Sequence, residues 1–300
     1  MRTVYYLQPS SFCFGVEKSI SWLLAIIQKH PWEDIYCIHA LVHNPKVIAT
    51  FEQKGVHFVE SLDDISNHHA IVVFSAHGTD RNIIQQAEKK FTSVYNLECP
   101  FVSRIYTEAD QFIKKWITTF FYIGKGNHQE GKNVIAYITS QWGQVHVFQD
   151  EQSIPQISAS QIAVLSQTTL NFSDVQKILQ LIKKKYPQAH LPISSDVCTA
   201  TYERQTVIRQ HADLFETLIV IWGKESNNTK ELYEIWLQCH KQTLYWESLA
   251  DIVQYPENEI FAHEKIAVTG WASTPKEDIQ AVIDFFVKNG YQKETLLLKK

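Results

Sequence analysis

No uninterrupted apolar run in this chain approaches the roughly 18 residues that a membrane span needs. The longest candidate, Ile20 to Ile27, is short and begins just after Glu17 and Lys18. The first residues, Met1-Arg2-Thr3-Val4-Tyr5-Tyr6, read as a strand and lack the layout of a signal peptide. A strong charge of one sign is also missing. The net charge of −4 gives no electrostatic footprint for nucleic acid or a membrane surface. A cytoplasmic protein with neither of those partners is expected. Five cysteines are an odd number for a disulfide framework, and 300 residues at 45% hydrophobic content can bury cores without staples. No Cys-x-x-Cys pair occurs, so the cysteines do not resemble those of a zinc ribbon or finger, and there is no low-complexity linker.

What the chain does contain is one cysteine in each near-third. Cys13, Cys99 and Cys198 each follow a short extended stretch and precede a helix-forming one. The spacing predicts three similar α/β lobes, each giving one thiolate to a common centre with a position left open. Cys37, in the apolar strand Ile35 to Ile38, reads as a buried structural thiol. Cys239, at the end of an amphipathic helix, reads as structural or surface.

One grammar repeats along the chain: a β-rich strand, a polar or glycine-containing turn, then an amphipathic helix. Its copies are Ala70 to Phe74 with a helix from about Asp80 to Lys90, Thr119 to Ile123, Ile162 to Leu165, Leu218 to Trp222, and Ile266 to Thr269. Such alternation implies mainly parallel sheets. Asn44-Pro45, Cys99-Pro100 and Thr274-Pro275 mark helix starts, with proline at the first helical position. The loops at 152–161 and 186–192 give expected lobes of 1–97, 98–193 and 194–300.

His77, His128, Glu130, Thr168, Ser226, Asn228 and Ser273 all fall just after a predicted strand, and His43 lies in a similar loop before a helix. In open parallel sheets this edge binds ligands. Helix N-termini there suit an anion such as phosphate, so a small phosphorylated or diphosphorylated ligand is expected. Ordinary capping accounts for any one Ser, Thr or Asn equally well. His39 and His43 straddle a strand end and are not a metal-binding pair. For the three cysteines, spacing alone leaves isolated core thiols and an iron–sulfur centre both open.

Local sequence discriminates between these. Ser11-Phe12-Cys13-Phe14-Gly15-Val16 resembles the GFCxGV element of the LytB family of 4-hydroxy-3-methylbut-2-enyl diphosphate reductases. Further elements follow collinearly: Val42-His43-Asn44 (VHN), Phe74-Ser75-Ala76-His77-Gly78 (SAHG), Cys99-Pro100, His128-Gln129-Glu130 (HPE), Gln167-Thr168-Thr169-Leu170 (QTTL), Cys198-Thr199-Ala200-Thr201, Ser226-Asn227-Asn228-Thr229 (SSNS) and Ala272-Ser273-Thr274-Pro275 (ASxP). The resemblance spans essentially the whole chain. It implies three α/β lobes in a pseudo-threefold arrangement around a central 4Fe-4S cluster, with Cys13, Cys99 and Cys198 as ligands and one iron open. It implies reductive dehydroxylation of an allylic diphosphate to isopentenyl and dimethylallyl diphosphates, in the methylerythritol phosphate pathway. Glu130 would supply protons with help from Thr168. His43, His77, His128, Ser226, Asn227, Asn228 and Ser273 would hold the diphosphate, and a ferredoxin or flavodoxin would donate electrons.

Several positions depart from the family. Ser10-Ser11 replaces Arg-Gly, and Glu98 replaces the Thr before the second cysteine, where an ionised acid would disfavour reduction of a neighbouring cluster. Gln129 replaces the proline of HPE, and Gly131-Lys132-Asn133 replaces V-x-G. Asn227 replaces a serine, Glu203 an asparagine, and Lys125 a histidine. The same residues also accommodate a diverged paralogue acting on another substrate, and a non-catalytic iron–sulfur sensor.

Overall fold

A computed structural model describes residues 1–42, 44–192, 196–221, 235, 243–246, 249–254 and 260–299. The chain divides into two compact units, Gly15–Cys198 on one hand, and Met1–Phe14 with Thr199–Lys300 on the other. Every sheet pairing among the described strands is parallel.

The first strand, β1 (Thr3–Gln8), joins the C-terminal part of the chain. The unit of 15–198 holds two sheets. One has the order β3-β2-β4-β5, from β2 (Ile35–Ile38), β3 (Val56–Val59), β4 (Ile71–Phe74) and β5 (Ser93–Asn96). The other has the order β7-β6-β8, from β6 (Thr119–Ile123), β7 (Gln144–Phe148) and β8 (Ala163–Ser166). Among the described residues the remaining unit has one sheet, β10-β9-β11-β1-β12, with β9 (Thr217–Ile221), β10 (Thr243–Trp246), β11 (Lys265–Gly270) and β12 (Gln292–Leu297).

The placement of β1 follows from its side chains. Val4 and Tyr6 pack with β9, β11 and the helix Lys276–Lys288, while Tyr5 and Leu7 pack with Val207 and Ile208 of the helix Thr199–His211. A strand apolar on both faces needs helices on both faces and neighbours on both edges, which is the interior of a parallel sheet. Accordingly Tyr5 sits opposite Ala267 on one side and Glu294 on the other.

The expected divisions therefore differ from the units formed. Residues 1–14 leave the first expected lobe for the C-terminal unit, and no unit boundary falls at 97. The second division lies at 198 rather than 193, because the segment before Cys198 stays with β8: Ser166 N–H donates to Asp196 Oδ2 at 2.6 Å, and Cys198 N–H donates to the Thr168 carbonyl at 2.9 Å.

Among the described residues the longer helices are α1 (Phe14–Lys29), α2 (Pro45–Glu52), α3 (Arg81–Lys90), α4 (Pro100–Lys114), α5 (Gln129–Ser140), α6 (Phe172–Lys185), α7 (Thr199–His211), α8 (Leu249–Gln254) and α9 (Lys276–Lys288). Asn44 caps α2 as expected, accepting from Lys46 N–H and Val47 N–H with Pro45 at the first position. At Thr274-Pro275 the start lies one residue later, with Pro275 itself the cap of α9. The β6 sheet is covered by α4 and α5 on the face of Phe120 and Tyr122, and by α6 on the face of Phe121 and Ile123. That sandwich fixes the start of α5, where the chemistry gathers.

Candidate functional site

Glu130 was expected in the loop after β6, but it lies within the first turn of α5. An acid there is favoured by the positive end of the helix. His128 caps the helix, and its Nδ1 accepts from Glu130 N–H at 3.3 Å. In a neutral ring this puts the proton on Nε2, which makes that nitrogen a donor. Glu130 is only 3% exposed. Its two oxygens accept from Thr168, one from the backbone N–H at 2.7 Å and one from the hydroxyl at 2.6 Å. Thr168 reaches it from the loop after β8, the neighbour of β6 in the sheet. Desolvation pushes the Glu130 carboxyl up to about 7, against the opposing pull of the Thr168 hydrogen bonds. A carboxylic acid poised near neutrality can both deliver and recover a proton. The buried Tyr122 hydroxyl is pushed up by burial and by the proximity of Glu130.

The other predicted residues lie where the strands place them. His77 is half-buried in the loop after β4, and Ser273 is buried in the loop after β11. His43, Ser226, Asn227 and Asn228 fall outside the described residues, as does Cys239. His39 pairs with Glu60 at 2.9 Å and takes no part.

Cys13, Cys99 and Cys198 are half-buried, and each directly precedes a helix: α1, α4 and α7. Their backbone N–H groups share one arrangement. Cys13 donates to the Ala272 carbonyl at 3.1 Å, Cys99 to Ala76 at 3.0 Å and Cys198 to Thr168 at 2.9 Å. Each acceptor lies in a loop that carries a predicted site residue: Ser273, His77 and Thr168 itself. Every cysteine is thus tied to one site loop within its own unit. Helix N-termini suit thiolate side chains, the form that ligates iron. Cys37 differs in kind, since it is wholly buried and its thiol is pushed up to about 12 by desolvation. Among the described residues no three His, Cys, Asp or Glu side chains are arranged to hold a single metal ion. The donor chemistry of three accessible thiols at helix starts fits a soft, thiolate-held centre such as an iron–sulfur cluster.

The departures become specific. Glu98 is buried, and its charge is met by Arg81, whose Nη2 lies 2.9 Å from Oε1 and whose guanidinium also covers the Tyr106 ring at 4.5 Å. Gln129 Nε2 donates to Asn133 Oδ1 at 3.4 Å. Glu203 is half-buried on α7. Three residues that sequence reasoning passed over contribute to these surroundings. Arg81 offsets Glu98. Arg204, 2% exposed, donates to the Ser11 carbonyl at 2.6 Å and holds the loop before Cys13. Asn133 donates to the Gly78 carbonyl at 2.7 Å. Asn133 was signalled only as a departure from V-x-G, and the two arginines gave no signal at all.

The structure is thus a parallel α/β fold with a buried acid at a helix start and a cysteine directly before each of three helices, beside the strand-end loops. The chain matches the family model described as LytB protein over residues 4–287 and belongs to that family. It is 32% identical over 288 residues to the 4-hydroxy-3-methylbut-2-enyl diphosphate reductase of Buchnera aphidicola subsp. Schizaphis graminum, covering 95% of this chain and 90% of that one. The enzyme of the same name from Wolbachia pipientis subsp. Culex pipiens is 27% identical over 283 residues, covering 94% and 91%. A solved structure of the E-1-hydroxy-2-methyl-but-2-enyl-4-diphosphate reductase from Plasmodium falciparum superimposes with a TM-score of 0.88 at 25% identity, over 99% of this chain and 92% of that one. No described helix is long and apolar enough to cross a membrane.

Proposed function

We propose that this chain is a 4-hydroxy-3-methylbut-2-enyl diphosphate reductase, acting in the cytoplasm to make isopentenyl and dimethylallyl diphosphates. The observation that carries the reading is the buried Glu130–Thr168 pair at the start of α5, found in a chain whose relatives bear that name. Cys13, Cys99 and Cys198 would hold a 4Fe-4S cluster. When bound, the cluster supplies a Lewis-acidic open iron and a store of electrons, filled by a ferredoxin or flavodoxin.

The remaining work falls to the chain. The reaction breaks the allylic C–O bond, takes up two electrons and two protons, and releases water. Glu130 gives its proton to the departing hydroxyl, regains one, and protonates the reduced allyl carbon. Thr168 holds the carboxyl in place for both transfers. His128, with its proton on Nε2, and His77, His43, Ser226, Asn227, Asn228 and Ser273 bind the diphosphate, the first from the start of α5, where backbone N–H groups favour an anion. The Arg81–Glu98 pair offsets the acid beside Cys99, so that departure leaves the reading intact.

Anaerobic reconstitution with iron and sulfide, followed by assay with the allylic diphosphate and an artificial donor, tests the reading. Turnover by the wild type and its loss in Glu130→Gln are expected. Wild-type turnover that survives Glu130→Gln refutes the role of Glu130, and no turnover with full iron content refutes the substrate.

A further inference from the structure

We propose that Asn133 is a positioning residue that fixes the His77 loop against the start of α5, and so sets the spacing of His77 from His128 and Glu130. This rests on the reading of these residues as a diphosphate-binding and proton-donating site.

The tie has two rigid ends. On one side Gly78 has φ +80° and its Cα is seated on α4. A Cβ there would lie 2.7 Å from Val102 Cγ1 and 3.0 Å from Glu98 Oε2, so the loop approaches α4 more closely than a residue with a side chain could. Glu98 is itself held by Arg81. On the other side Gly131 lets α5 lie against the preceding loop, where a Cβ would come within 2.4 Å of the Lys125 carbonyl oxygen. That loop is fastened in turn by Lys125 N–H to Gln167 Oε1 at 3.0 Å. Asn133 closes the gap between the two ends. Its Nδ2 donates to the Gly78 carbonyl at 2.7 Å, one residue from His77, and the residue is 8% exposed.

Gln129 fixes the orientation of that amide by donating to Oδ1. A flipped Asn133 would put two donors and two acceptors face to face. Asn133 and Glu130 are three residues apart on one face of α5, so a force on the first is felt by the second. Gln129, Gly131 and Asn133 therefore act together. Bare backbone at 131 admits the loop, while the side chains at 129 and 133 secure the helix.

The test uses the reconstituted full-length protein, with KM and kcat for the allylic diphosphate and the inhibition constant of inorganic diphosphate as readouts. In Asn133→Ala both KM and the inhibition constant are expected to rise about tenfold, the equilibrium ratio of one net buried hydrogen bond, with kcat lowered less than about threefold. Asn133→Asp keeps the volume and serves where the alanine variant fails to fold. As the acid it donates to Gly78, and as the carboxylate it repels that carbonyl, so its KM climbs with pH more steeply than that of the wild type. Wild-type values in both variants overturn the proposal. So does a kcat that falls with iron content at unchanged KM, which marks a merely structural residue. A wild type that neither turns over the allylic diphosphate nor is inhibited by diphosphate refutes the functional reading first, and this proposal with it.

Discussion

Glu130→Gln should make the protein more stable and less active, with a gain in stability that depends on pH. In the unfolded chain the carboxyl ionises near its ordinary 4.5, and in the folded protein near 7. Below about pH 4.5 the group is protonated in both states and folding is indifferent to it. Between 4.5 and 7 the unfolded chain releases the proton and the folded protein retains it, so stability falls as pH rises. Above 7 both forms are ionised and the loss levels off. At about 1.4 kcal/mol per pH unit, the ionised carboxylate costs the folded state on the order of 3 kcal/mol at pH 8. Glutamine has the same shape and no ionisation. Its oxygen still accepts from Thr168 N–H, and its amide can donate to the hydroxyl. The variant should match the wild type near pH 4.5 and exceed it by on the order of 3 kcal/mol at pH 8. Urea unfolding of both apoproteins under reducing conditions, at half-unit steps from pH 4.5 to 8, measures the gap. Turnover should fall by about 10²–10⁴, the usual contribution of a positioned acid. A gap that is constant with pH, or a glutamine variant less stable at pH 8, would falsify the assignment of a buried, reluctantly ionised carboxyl.

Three further outcomes are expected. Cys99→Ser should lose nearly all bound iron and sulfide after reconstitution, whereas Cys37→Ala should keep both and lose only about 1 kcal/mol of stability, so equal metal loss in the two would contradict their separation. Gly131→Ala should destabilise the protein, because pushing on the Lys125 carbonyl costs roughly 1–3 kcal/mol and the better helix propensity returns at most about 1. A raised melting temperature would show that the loop yields. Arg81→Gln leaves the buried Glu98 carboxylate unpaired and should cost about 2 kcal/mol, less than a fully enclosed pair because Arg81 retains some access to water. Adding Glu98→Gln should restore most of that loss, and additive losses in the double variant would mean that the two do not interact.

Much of the architecture was legible because it is encoded locally. Apolar runs of four to six residues, proline after Asn44 and Cys99, and asparagine or aspartate before helices specify strands and helix starts through neighbours in the chain. The alternation of strand and helix implied the parallel sheets. Glu130 and Thr168 stood out through collinear motifs, although their hydrogen bonds join residues 38 apart in the chain.

The sequence by itself thus determined the class of fold, the cysteines at helix starts and the acid with its threonine. Only the tertiary structure decided that β1 inserts between β11 and β12, because a strand apolar on both faces can be satisfied by any suitable parallel pair and nothing local names the partners. It also decided how the altered residues are compensated. Arg81 answers Glu98 by a side-chain pair 17 residues apart in the chain, and Asn133 reaches the backbone carbonyl of Gly78, 55 residues away. Such pairings depend on buried geometry and leave no periodicity to read. The suppressed ionisation of Glu130 belongs to the same group, since a carboxyl becomes reluctant to ionise only when the fold has taken the water away.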